Sequence, residues 1–154
     1  MKHPDLDNLD MLIIEILMND ARTPFTEIAK IVNVSSGTIH VRMKKLEGLG
    51  VVRGAHLQVD YSQLGYDVSA FLGIYLDKSH YYDAVIERLQ AIPEIVSANY
   101  TTGLYNIFIK IVCRDTNHLR SVLHDKIQHI EGIQRTETFI SLEESISRPL
   151  HIHD

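Results

Sequence analysis

The sequence predicts an α+β protein in two parts: three helices with a wing, then a β-α-β-β-α-β sandwich. Three observations predict it. Apolar residues recur at helical spacing through residues 9–46, and further on strand-like runs alternate with helical stretches. Glycine, proline and asparagine fall between these runs, where turns are needed. The charge is divided as well. Residues 30–56 carry Lys30, Arg42, Lys44, Lys45 and Arg53 against the single acid Glu47, whereas residues 61–154 carry eight bases and twelve acids. A basic segment on an acidic body, in a chain whose net charge is −5, is the pattern of a localised nucleic-acid face.

Residues 9–20 read as the first helix, with Leu9, Leu12, Ile13, Ile16 and Leu17 forming one apolar stripe and Asp7 or Asn8 as cap. Thr23-Pro24 opens the second, since threonine caps and proline is tolerated at the first helical position. Its inner face is Ile28, Ala29 and Val32. Asn33 tolerates the left-handed backbone of a tight turn. Ser35-Ser36 opens the third helix, with Ile39, Met43 and Leu46 inward, and Gly48 and Gly50 end it. Residues 51–60 read as two short strands around Gly54. This order is a winged helix-turn-helix, assigned to residues 1–60.

Residues 61–154 follow another pattern. Strands are predicted at 66–76, 95–102, 105–113 and 133–142. Helices are predicted at 80–92, ending at Pro93, and at 116–130, where Leu119, Val122, Leu123, Ile127 and Ile130 are apolar. The order is that of a ferredoxin-like sandwich. Two of its strands are apolar on both parities, where a sheet facing water would alternate. That predicts a second sheet against the open face, hence a dimer at least. The tail SRPLHIHD reads as partly flexible.

Several classes are disfavoured. No apolar run approaches the roughly 18–20 residues that span a bilayer. The start, MKHPDLDNLD, is acidic and does not read as a signal peptide. A lone cysteine, Cys113, in an apolar run excludes a disulfide framework, reads as a small buried hydrophobe, and suits a reducing cytoplasm. No phosphate loop or nucleophile elbow is present, so no enzyme is expected. His118, His124 and His129 are spaced by six and five residues, which does not align them on one helix face, and His151-x-His153 lies in the tail. No metal is expected, and no cofactor.

Double-stranded DNA is the predicted partner of the third helix. Ser35 and Ser36 sit at its start, where free N–H groups suit a phosphate. Gly37 and Thr38 are small enough for close approach to a groove. His40, Arg42, Lys44 and Lys45 are read as facing outward, with Arg42 able to make a bidentate contact to guanine. Lys44, Lys45 and Arg53 suit phosphates, a contact without sequence information. A second cluster lies at Tyr100-Thr101-Thr102-Gly103. Glycine admits close approach of a ligand to backbone, and hydroxyls and amides can hold an ammonium or amide. The same residues also read simply as strand formers and a turn.

LDNLDMLIIEILMNDARTPFTEIAKIVNVSSGTIHVRMKKLEGLGVV and YTTGLYNIFIKIVC resemble the Lrp/AsnC, or feast/famine, family of transcription regulators, and the resemblance extends over essentially the whole chain. SSGTIHVRMKKL and YTTGLYNIFIK are similar to its asparagine-responsive branch. The family's loop is often Gly-Asp-Tyr-Asp, whereas Gly103-Leu104-Tyr105-Asn106 stands here. The resemblance implies an amino-acid effector, asparagine, held between dimers. Tyr100, Thr101, Thr102, Gly103, Leu104, Tyr105 and Asn106 would form one wall, and Gln128, Thr136 and Thr138 would come from the facing subunit. It further implies dimers assembling into an octamer. Two other classes stay open: an effector-free architectural DNA-binding protein, and a ligand carrier or enzyme that binds no DNA.

Overall fold

Residues 5–152 are described by the computed structural model, so the readings made of residues 1–4 and of His153 lie outside the described residues. The chain divides into two units, residues 5–58 with 146–152, and residues 59–145.

In the first unit, α1 (Asn8–Asn19) begins where Asp7 and Asp10 cap each other. The Asp10 amide donates to Asp7 Oδ1 at 3.0 Å, and the Asp7 amide donates to Asp10 Oδ2 at 3.1 Å. This reciprocal box satisfies two of the four N–H groups that a helix start leaves without partners. The buried stripe of α1 is narrower than the sequence suggested. Ile13 and Ile14 are buried, but Leu12 is 48% exposed. Helix α2 (Phe25–Ile31) starts one residue later than expected, because the Thr23 hydroxyl donates back to the Asp20 carbonyl at 2.8 Å instead of capping. Asn33 takes the left-handed turn at φ 55°. Ser35 caps α3 (Ser36–Gly48) by accepting from the Thr38 amide. Ile13, Ile14, Ile28, Ala29, Ile39, Met43 and Leu46 close the core, and Ile152 of the tail packs against it.

The wing departs from expectation. Residues 51–60 contain no strand and run as irregular backbone, with Leu57 85% exposed. An isolated two-stranded hairpin is marginal in water without a third strand or a helix to cover it, and among the described residues Leu57 does not join the core of this unit.

The second unit begins with a helical turn at Tyr61–Leu64. It then forms β1 (Val68–Leu76), α4 (Tyr82–Gln90), β2 (Ile95–Tyr100), β3 (Ile107–Cys113), α5 (Thr116–Ser121) and β4 (Ile133–Ser141). The four strands are antiparallel in the order β2-β3-β1-β4, the ferredoxin-like arrangement. Ala70, Leu72, Ile74 and Leu76 of β1 and Ile107, Ile109, Ile111 and Cys113 of β3 face the helices. Burial pushes the Cys113 thiol up to about 11, as befits an inert core residue. The helix expected at 116–130 is not uniform: α5 widens into a π turn at Val122–Ile127. Val122 and Ile127 are both buried and five residues apart. A tighter α turn would carry Asp125 or Lys126 inward instead, so the wider turn keeps the apolar side chains in register.

The opposite face of the sheet carries Phe71, Tyr75, Phe108 and Phe139. Phe71 and Phe108 stack at 5.8 Å between centroids. Phe139 remains 45% exposed.

Candidate functional site

Two regions gather the residues singled out by sequence. In the first, the spacing of buried Ile39, Met43 and Leu46 turns the rest of α3 outward or toward α1. Gly37, His40 and Lys44 are exposed, and so is Val41, at 68%. Steps of three, four and seven residues put these four on one face. His40 is steadied by an edge-on contact with Phe25, 4.8 Å between ring centroids. The Ser35 and Thr38 hydroxyls lie 2.9 Å apart and partner each other, and Ser36 is half-buried. Arg53 is exposed on the irregular segment that replaces the wing.

Arg42 and Lys45 do not face outward as the sequence suggested. The Arg42 guanidinium donates to Asp7 and to Asp10 Oδ1, the latter at 3.2 Å. The Lys45 ammonium donates to Asp10 Oδ2 at 2.6 Å. Asp10 is fully buried. A buried carboxylate must be paired, and these two cations pair it. Burial alone would raise the Asp10 carboxyl; the Lys45 hydrogen bond, the Asp7 amide and Arg42 outweigh it and hold Asp10 below the usual carboxylate range. Asp7 is held low by the Asp10 amide and by Arg42. The signal for this clamp was present in the sequence. Asp10 precedes Ile13, Ile14 and Leu17 by three, four and seven residues, which places a carboxylate on the apolar stripe. Val41 was missed because an apolar residue in a helical pattern reads as core.

The second region is the turn between β2 and β3. Several of its polar groups hold the turn together and tie it to β1. The Thr101 amide donates to the Asn106 carbonyl at 3.0 Å, and its hydroxyl to the Tyr105 carbonyl at 2.7 Å. Asn106 Oδ1 accepts from the Leu76 amide at 2.9 Å. Tyr105 leaves the turn altogether and lies across the open sheet face. An added Cβ on Gly73 would stand 2.4 Å from its ring, so that glycine in a strand marks a close approach. The Tyr105 hydroxyl donates to Glu137 Oε2 at 2.8 Å. That bond, reinforced by burial, raises its pKa. Tyr75 donates to the other oxygen of Glu137 at 3.2 Å and carries the Arg135 guanidinium over its ring at 3.9 Å.

Exposed around this fixed frame are Tyr100, Thr102, Gly103 and Leu104, with the Tyr100 ring leaning on Tyr82. Gly103 sits at φ 108°, where only glycine is at ease. Gln128 is exposed at the end of the π turn. Thr136 and Thr138 pair with Ile74 and Leu72, which places them on the helix side of the edge strand β4. They are therefore on the other face of the sheet from the Tyr105 ring. Within one chain these three residues do not join the turn into one wall. Among the described residues no group of three His, Cys, Asp or Glu side chains converges to hold a metal. No helix among them is long and apolar enough to cross a membrane.

Comparison with known proteins places both regions. A family model described as the AsnC-type helix-turn-helix domain matches residues 6–47, and one described as the Lrp/AsnC ligand binding domain matches residues 69–150. The chain is 47% identical over 145 residues to the Regulatory protein AsnC of Escherichia coli (strain K12), covering 94% of this chain and 95% of that protein. The solved structure of Escherichia coli AsnC superposes with a TM-score of 0.88 at 46% identity, covering 94% of this chain and 97% of the other. A transcriptional regulator of Neisseria meningitidis, solved as a complex with L-Met, shares the fold with a TM-score of 0.87 at 21% identity, covering 93% and 94% of the two chains.

Proposed function

The chain belongs to the Lrp/AsnC family of DNA-binding transcription regulators, and from that premise we propose that its assembly or its DNA binding responds to asparagine. The first unit is the DNA-binding part, and the second is the family's ligand-binding domain. The observation that carries the effector reading is the split at the β2–β3 turn. Thr101, Tyr105 and Asn106 fix the frame by hydrogen bonds, while Tyr100, Thr102 and Leu104 stand exposed on it. A frame held in advance lowers the ordering cost of binding. The L-Met complex of the Neisseria protein is a precedent for an amino acid on this fold.

Two copies join through the aromatic sheet faces, and dimers assemble further, to an octamer. A ligand that touches two copies favours the assembly that places both correctly. Gln128, Thr136 and Thr138 belong on the second copy's side of that site. The dimer presents two α3 helices, so operators are roughly palindromic. On α3, Gly37, His40 and Lys44 approach the groove, Ser35, Ser36 and Thr38 order the helix start beneath a phosphate, and Arg53 reaches the backbone. Arg42 and Lys45 act mainly by holding α3 to α1.

Calorimetric titration of the intact protein with asparagine, glutamine and leucine tests the effector. Asparagine is expected to bind selectively, and Leu104→Asp to abolish that binding with assembly size unchanged by light scattering. Leu104 is the better probe than Gly103, whose replacement strains the backbone. No heat with any of the three amino acids would move the reading to an effector-free architectural regulator.

A further inference from the structure

We infer that Val41 reads thymine in the major groove through the base's 5-methyl group. The inference rests on the DNA-binding role of α3 and names a base for it. Val41 is 68% exposed in the middle of α3. Neither core uses it. Valine is also a poorer helix former than the lysine and arginine around it, so the fold gains nothing from it there.

The other side chains of α3 are accounted for. Ile39, Met43 and Leu46 are buried. Arg42 and Lys45 are held by Asp7 and Asp10. The Thr38 hydroxyl is partnered by Ser35. What remains on the outward face is Gly37, His40, Val41 and Lys44, with Glu47 exposed in the last turn. Gly37 lies one turn before Val41 and has no side chain to hold the helix away. A Cβ there would meet only Ser35 Oγ, at 3.7 Å. Lys44, a turn further on, suits a phosphate. Val41 then sits at the depth of the base edges with nothing but methyl groups to offer. In the major groove thymine alone presents an apolar group, its 5-methyl.

The experiment uses the full-length protein. A random duplex pool is selected for binding, and each thymine of the enriched duplex is replaced in turn by deoxyuridine, which lacks only the methyl. Affinities are read by fluorescence anisotropy at one salt concentration. One thymine per half-site is expected to lose about fourfold on replacement, the weight of one buried methyl group. In Val41→Ala the same replacement is expected to cost nothing further, while its melting temperature is that of the parent or slightly above it, since alanine is the better helix former. A flat uracil scan on an enriched duplex overturns the inference and leaves the DNA-binding reading standing. A uracil penalty that persists undiminished in Val41→Ala overturns it too. Altered assembly size in Val41→Ala with a flat scan assigns Val41 to a contact between copies instead. Failure of the pool to enrich any duplex overturns both readings together.

Discussion

Gly37 is the residue on which fold and function pull in opposite directions. It occupies an early helical position with ordinary φ, and a Cβ there meets only Ser35 Oγ at 3.7 Å. Alanine therefore fits. It should stabilise the chain by about 0.5 kcal/mol, since glycine in a helix loses more backbone freedom on folding. The same methyl group would stand between α3 and the groove. Gly37→Ala is expected to raise the midpoint of urea unfolding and to weaken binding to a selected duplex. Improved stability with unchanged DNA affinity would remove Gly37 from the interface. Gly73 is the counterpart in the second unit, because its missing side chain is the space occupied by the Tyr105 ring.

Between elements, the clamp of α1 on α3 makes a pH prediction. Asp7 and Asp10 have carboxyls held below the ordinary range. A carboxyl whose folded pKa is depressed adds stability above its unfolded value, near 4, and that stability is lost as pH falls through the folded value. Stability of the first unit should therefore hold from neutrality down to about pH 4 and fall below it. Asp10→Asn removes the buried charge and leaves Arg42 and Lys45, each about a quarter to a third exposed, to turn toward water. It is expected to cost about 2 kcal/mol at pH 7, less than a fully enclosed pair would, and to flatten the acid limb. Denaturant titrations at pH 7 and pH 3 measure both. An equally steep acid limb in the variant would place the titrating group elsewhere, with Asp7, which Arg42 still holds low, the next candidate in this unit.

For the whole molecule, the aromatic sheet face is the surface proposed to join copies of the chain. Phe71, Phe108 and Phe139 lie on the side away from the helices, and Phe139 is 45% exposed. A contiguous apolar face of this kind marks an interaction surface. Phe139→Asp should leave the fold intact, because the core of this unit lies on the other side of the sheet. It should reduce the light-scattering mass to that of a single chain at micromolar concentration. An assembly of parental size would show that copies meet elsewhere.

Much of this was legible in the order of residues, because it depends on neighbours. The Asp7 cap, the Asn33 turn, the Ser35 start of α3 and the alternation that yields four strands are set within a few positions. The family motifs are local too. Contacts between distant positions were not legible. Arg42 and Lys45 looked free on a helical wheel, yet they meet Asp7 and Asp10 from 32 to 35 residues away. Tyr105 looked like part of a binding turn, yet it bonds Glu137 across the sheet, 32 residues on. The expected wing strands failed for the same reason: a strand needs a partner, and residues 51–60 alternate suitably but find none. Pattern assigns each residue a direction within its own element, and only packing says which charge or ring waits there.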